Sequence, residues 1–181
     1  MNRIVRKIKM TWFKYTGNED GYLKLKIGKF VDSGGKCGNN FKFYCDFPGE
    51  PYLVTIGNDV TLAKGVNLLT HDNSVIKCDI DATDYFGKIS IGDSCFIGIN
   101  SIILPGVKLG DHTLVGAGSV VTKSFEEGNV VIAGNPARVI CNIEEFANKK
   151  KDICVNLDKG DLRSHKREYL ESLSDEMFEK K

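Results

Sequence analysis

Residues 91–121, IGDSCFIGINSIILPGVKLGDHTLVGAGSVV, carry an aliphatic side chain at every sixth position: Ile91, Ile97, Ile103, Leu109, Val115 and Val121. Glycine directly follows four of them, at Gly92, Gly98, Gly110 and Gly116. A helix cannot use this spacing, because six steps of about 100° carry the apolar position about 240° from its starting face. Six is a multiple of the strand period of two, so the pattern predicts short strands separated by corners and wound into a parallel β-helix. Four residues after each aliphatic position come Cys95, Ser101, Val107, Thr113 and Ser119, small or β-branched side chains suited to a narrow core. The two places between, such as Asp93-Ser94, Ile99-Asn100 and Asp111-His112, mostly hold residues that tolerate turns.

If three hexads make one triangular coil, residues 18 apart stack: Ile91 on Leu109, Ile97 on Val115 and Gly98 on Gly116. An earlier block follows the same rule through Ile56, Leu62 and Leu68, with Val60 and Val66 inward. A weaker block surrounds Ile27-Gly28, with Val31, Cys37 and Phe43 six apart, and an irregular corner is expected near Asp46–Pro51. Residues 72–90 hold no hexad and carry several charges, which predicts a loop thrown out from the coil. The expected fold is therefore all-β, with helices at both ends. Its divisions are an N-terminal helix over 1–20, the coil over 21–140 and a helical tail over 141–181. Ile4, Ile8, Trp12 and Tyr15 fall at helical spacing among basic residues, predicting an amphipathic helix packed on the coil or on a neighbouring subunit. Membrane-surface binding is disfavoured here by the segment's short length and weak hydrophobicity. The tail's Leu162, Tyr169, Leu173, Met177 and Phe178 suggest a cap for the solenoid or a packing element between protomers.

The 181 residues bound one domain with small appendages, and a net charge of +1 gives no electrostatic case for nucleic acid. No apolar run approaches the roughly 18 residues of a spanning segment. The six cysteines lack CxxC spacing, which favours reduced thiols in a cytoplasmic protein over disulfides or a zinc site. Three histidines remain as candidates for chemistry. His165 lies in the charged tail, and His112 sits within an unbroken run of hexads. His71 is the last residue before the repeat is abandoned, where an imidazole beside a loop is placed to take a proton from a substrate hydroxyl.

Residues 88–140, KISIGDSCFIGINSIILPGVKLGDHTLVGAGSVVTKSFEEGNVVIAGNPARVI, resemble the hexapeptide-repeat O-acetyltransferases, the group of maltose, galactoside and surface-polysaccharide acetyltransferases. The resemblance runs from about Ile56 to Ile140, and GAGSVVTK followed by GNPARVI is its most specific part. It implies a left-handed parallel β-helix, a homotrimer, and acetyl-coenzyme A as co-substrate in the groove between subunits. GVNLLTH, ending in His71, matches the family's catalytic stretch, which makes His71 the implied general base in direct transfer to an acceptor hydroxyl. The implied coenzyme contacts fall on Ile99, Ala117, Thr122, Lys123 and Arg138, with the two cations suited to coenzyme phosphates. Ile99 departs from the family's usual small residue, Phe96 replaces a common tryptophan, and Cys141 stands where some relatives carry a second basic residue.

The leading expectation is O-acetylation of a sugar or polysaccharide precursor. Alternatives within the enzyme class are acetylation of an antibiotic, an amino sugar or a nucleotide-sugar. From other classes come a β-helix carbonic anhydrase with three histidines on zinc, for which the spacing of His71, His112 and His165 is poor, and a non-catalytic scaffold.

Overall fold

The computed structural model describes residues 3–160 and 162–179. Helices α1 (Arg3–Thr16) and α2 (Glu19–Asp32) form a hairpin ahead of the coil. Asn18 caps α2, its side-chain oxygen accepting the Gly21 N–H at 2.8 Å. The coil was expected from residue 21, yet residues 21–32 are helical. Leu23, Ile27 and Phe30 recur at helical spacing, and that period wins over the sixfold spacing running through Val31. Cys37 and Phe43 do lie in strands, as expected.

The first coil contributes β1 (Lys36–Cys37) and β2 (Lys42–Phe43). The second contributes β3 (Val54–Ile56), β4 (Thr61–Leu62) and β5 (Asn67–Leu68). Strands β6 (His71–Asp72) and β7 (Tyr85–Phe86) then pair as an antiparallel hairpin. The third coil holds β8 (Ile89–Ile91), β9 (Phe96–Ile97) and β10 (Ile102–Ile103). The fourth holds β11 (Lys108–Leu109), β12 (Leu114–Val115) and β13 (Val120–Val121). A closing antiparallel pair follows, β14 (Val130–Gly134) and β15 (Ala137–Asn142).

Successive coils stack into three faces with parallel pairing between coils. The first face is β1-β3-β8-β11, the second β2-β4-β9-β12-β14-β15 and the third β5-β10-β13. The expected partners meet: Ile91 with Leu109, Ile97 with Val115, and Ile103 with Val121. Between the second and third coils the partners are Ile56 with Ile91 and Leu62 with Ile97, so the projecting hairpin leaves the stacking intact. It begins one residue earlier and ends sooner than the loop expected over 72–90, because His71 already pairs in β6 and Ile89–Ser90 belong to β8.

The fourth place of most hexads turns the corner in the left-handed backbone region. Asp59, Ser94 and His112 do so at one edge, Gly65, Asn100 and Gly118 at the next, and Gly106 at the third. Corner carboxylates also tie coils together, with Asp93 accepting the Asn58 N–H and Asp111 accepting the Asp93 N–H, each at 2.7 Å. Inside, Ile97, Ile103, Val121 and Ile132 are completely buried, and Ser101, Thr113 and Ser119 are buried with their hydroxyls bonded to corner carbonyls. At the start of the coil Phe30, Phe41, Phe43 and Phe47 form an aromatic plug, with Phe30 and Phe43 rings 5.5 Å apart. Lys26 of α2 reaches the Cys45 carbonyl and lies 4.6 Å over the Phe43 ring, which fixes the helix on that plug.

The chain divides after Ile143, so the tail is a unit of its own. Helix α3 (Ile143–Lys150) spans the boundary, and Cys141 and Asn142, expected in the helical tail, still belong to β15. The rest of the helical tail expected over 141–181 is broken into α4 (Lys166–Glu171) and α5 (Glu176–Glu179). Ser172 ends α4 by bonding its hydroxyl back to the Tyr169 carbonyl at 2.7 Å. Asp161, Lys180 and Lys181 lie outside the described residues. No described helix is long and apolar enough to cross a membrane.

Candidate active site

His71 occupies the fourth place after Leu68, where other hexads turn left-handed. Here the chain stays extended into β6, and the imidazole projects outward with 43% of its side chain exposed. Its Nδ1 stands 2.8 Å from Oε2 of Glu50, a carboxylate only 17% exposed. The same oxygen accepts the Thr70 hydroxyl, whose own oxygen accepts the Glu50 N–H at 3.2 Å. A carboxylate can only accept, so the pair fixes the proton on Nδ1 when the ring is neutral and leaves the Nε2 lone pair free.

Each element of this arrangement has a local cause. Glu50 sits in the irregular corner between β2 and β3, one coil beneath His71. Gly49 lets the ring lie close, since a Cβ there would come within 3.1 Å of His71 Cε1. On the other side Phe86, the residue paired with His71 across the hairpin, places its ring centroid 5.7 Å from the imidazole. The hairpin is pinned where it leaves and where it returns. Asp72 accepts the Ser74 N–H at 2.7 Å and the Tyr85 hydroxyl at 3.2 Å, and the Gly87 N–H bonds to the Thr70 carbonyl at 2.9 Å. Asp72, the next residue along the chain, is thus engaged by Ser74 and Tyr85.

The electrostatics follow from the contacts. The Glu50 hydrogen bond and charge push the His71 pKa up, with Asp84 and Asp72 adding smaller contributions. The Thr70 and His71 hydrogen bonds hold the Glu50 carboxyl below its ordinary value. Cysteine offers no competing nucleophile on the buried face of the coil: burial pushes the Cys45 thiol up to about 12 and raises Cys95 as well.

The other residues named from sequence lie on two edges of the prism. Thr122 and Lys123 follow β13 and share the edge of His71, between the third and first faces, with Lys123 Nζ 5.6 Å from the Phe125 ring centroid. Ile99 and Ala117 stack at the edge between the second and third faces, where the Gly118 N–H bonds to the Ile99 carbonyl at 2.8 Å. Arg138 belongs with that second edge, paired in register with Ala133. All five are exposed. A single chain therefore does not bring His71 together with Ile99, Ala117 and Arg138. His112 lies at the remaining edge, its N–H on the Asp93 carbonyl at 2.8 Å, apart from His71. Among the described residues no group of three or more His, Cys, Asp or Glu side chains could hold a metal ion.

Sequence reasoning missed Glu50 and Thr70. The irregular corner at Asp46–Pro51 was itself visible, and a carboxylate one coil before His71 was the signal to follow.

The profile of the bacterial transferase hexapeptide (six repeats) matches residues 88–123. Protein CapG of Staphylococcus aureus is 42% identical over 151 residues, covering 80% of this chain and 83% of that protein. A Dictyostelium discoideum protein with a provisional acetyltransferase name is 44% identical over 149 residues, covering 79% and 76% of the two chains. A maltose O-acetyltransferase structure from Clostridium difficile 630 is 26% identical, covers 78% of this chain and 86% of its own, and superposes with a TM-score of 0.54. A galactoside acetyltransferase solved with coenzyme A shares the fold at the same TM-score of 0.54 and 24% identity, covering 81% and 82% of the two chains. The chain belongs to the hexapeptide-repeat transferase family, among its acetyltransferases.

Proposed function

We propose that this enzyme moves the acetyl group of acetyl-coenzyme A to a hydroxyl of a sugar or polysaccharide precursor, with His71 as general base. The observation that carries this reading is the 2.8 Å contact of His71 Nδ1 with Glu50, which leaves Nε2 of a part-exposed ring as the proton acceptor. In the reaction Nε2 takes the acceptor's hydroxyl proton while the acceptor oxygen bonds to the thioester carbonyl carbon. The tetrahedral intermediate then collapses, the C–S bond breaks, and the imidazolium returns its proton to the departing thiolate. Glu50 stays ionised throughout and steadies the imidazolium.

The coil is proposed to be left-handed, as in the acetyltransferases it resembles, against the usual right-handed crossover. A homotrimer is the proposed assembly. Its support is the division of the candidate residues between two edges: one coenzyme touching His71, Thr122 and Lys123 as well as Ile99, Ala117 and Arg138 requires a second protomer. Lys123 and Arg138 are proposed as donors to coenzyme phosphates, and the exposed Ala117 corner as the track for the pantetheine arm. The proposed workplace is the cytoplasm.

A panel of sugars and nucleotide-sugars offered with labelled acetyl-coenzyme A identifies the acceptor. The His71→Ala variant is then expected to lose transfer by about 100-fold or more while coenzyme binding and particle mass stay unchanged. Full activity in that variant removes His71 from the chemistry. Exclusive transfer to amines in the panel replaces the O-acetylation reading with N-acetylation on the same scaffold.

A further inference from the structure

Helix α1 turns one face toward α2 and carries an apolar stripe on the other. Arg6, Met10 and Phe13 turn toward α2, where Arg6 pairs with Asp32 and Phe13 lies against the Gly21 turn. Ile4, Val5, Ile8, Trp12 and Tyr15 face away and are exposed, Trp12 at 57% and Tyr15 at 92%. They fall within about 100° of one another around the helix. Ile4, Ile8, Trp12 and Tyr15, with Lys7 and Thr11, line a shallow groove of about 560 Å³.

The charge of this helix chooses among partners. Arg3–Thr16 contains Arg3, Arg6, Lys7, Lys9 and Lys14 and no acidic residue. By helical spacing Lys7 borders the apolar stripe on one side and Lys9 on the other, and both are exposed. Long cationic side chains flanking a Trp- and Ile-bearing stripe suit an anionic bilayer surface, with rings among the acyl chains and ammonium groups among the headgroups. Self-pairing of the same face across a twofold axis sets cations against cations, with no carboxylate on the helix to compensate. A nucleic acid leaves the apolar stripe without a partner.

We propose that the outer face of α1 docks the enzyme peripherally on an anionic lipid surface. The helix lies in the interface plane rather than across the bilayer, since its 14 residues are too short to span. The sequence alone argued against this on length and weak hydrophobicity. The uncovered stripe and its two-sided lysine border supply what composition lacked.

Trp12 is the chain's single tryptophan, so its fluorescence reports this helix alone. The full-length protein is titrated with phosphatidylcholine vesicles and with vesicles also containing phosphatidylglycerol, and co-sedimentation is measured in parallel. The expected result is a blue shift and pelleting with the anionic vesicles only, reversed by salt. Each cation near the surface contributes about fivefold in partitioning, so the double variant Lys7→Glu with Lys9→Glu is expected to lose about 25-fold or more. Circular dichroism on that variant checks that it is folded. No shift and no pelleting of the wild type overturns the proposal. A tryptophan already blue-shifted without vesicles, and unresponsive to them, overturns it in favour of a second copy covering the stripe. None of these readings depends on the acetyl-transfer chemistry.

Discussion

Replacing Glu50 tests the imidazole–carboxylate pair without touching the base itself. Glu50 Oε2 is the oxygen bonded to His71 Nδ1 at 2.8 Å, and the opposite restraint on the ring is packing against Phe86 at 5.7 Å. Glu50→Gln keeps an oxygen that can accept the Nδ1 proton but removes the charge, so the loss of rate at high pH is expected to be less than about tenfold. Glu50→Ala removes both, and the ring is then free to turn away from Phe86. A displacement of about 1 Å at a reacting group can cost about 100-fold, within the 10²–10⁴ that a general base supplies, so a loss of about 100-fold is expected.

The pH profile separates charge from geometry. His71 must be neutral to accept a proton, so kcat/KM in the wild type rises as pH climbs through its raised pKa. Glu50→Gln removes the main cause of that elevation, and the acid limb is expected to move to lower pH while the plateau falls. An acid limb that stays in place, or a Glu50→Ala enzyme with the wild-type plateau, refutes the assigned role. The same pair sets a sign for stability. The His71 contribution is fully present below its unfolded pKa and fades as pH rises through the raised folded value. The Glu50 contribution is present above its unfolded pKa and fades as pH falls through the depressed folded value.

Arg138→Ala is expected to raise the KM for acetyl-coenzyme A about tenfold while leaving kcat within about twofold, as steady-state kinetics would reveal; unchanged coenzyme affinity contradicts its assignment. Ile97, fully buried between Leu62 and Val115, tests the core: Ile97→Ala is expected to cost about 2–5 kcal/mol and lower the melting temperature by about 5–20 °C. Ile99→Ala, at an exposed corner, is expected to shift stability by less than about 0.5 kcal/mol in the same calorimetric scan. Equal losses at the two positions contradict the alternation of inward and outward places.

The coil was legible because its physics is local and repeated. One aliphatic residue per rung, a small inward residue four places on and a left-handed fourth place recur from Ile56 to Val121, interrupted by a single hairpin. The start of the coil was misread because Val31, Cys37 and Phe43 keep sixfold spacing while Leu23, Ile27 and Phe30 keep helical spacing. Two periods overlapped there, and burial of the helix against the aromatic plug decided between them. His71 was visible as the residue at which the repeat breaks. Glu50 was not, because its link to His71 is a register relation across an irregular coil, 21 residues upstream rather than 18. The placing of Thr122 and Lys123 on one edge, and of Ile99 and Ala117 on another, needed the assignment of each hexad to a face.

The central claim is that an imidazole on one protomer meets a thioester held along the edge of another. A crystal structure of the full-length enzyme soaked with coenzyme A tests it most directly. The account expects a threefold assembly with the coenzyme sulfur facing His71 Nε2, close enough for a reacting carbon and oxygen to sit at about 3–3.5 Å between them, and with Arg138 near a phosphate. A coenzyme lying along one protomer alone, or a sulfur directed away from His71, contradicts it.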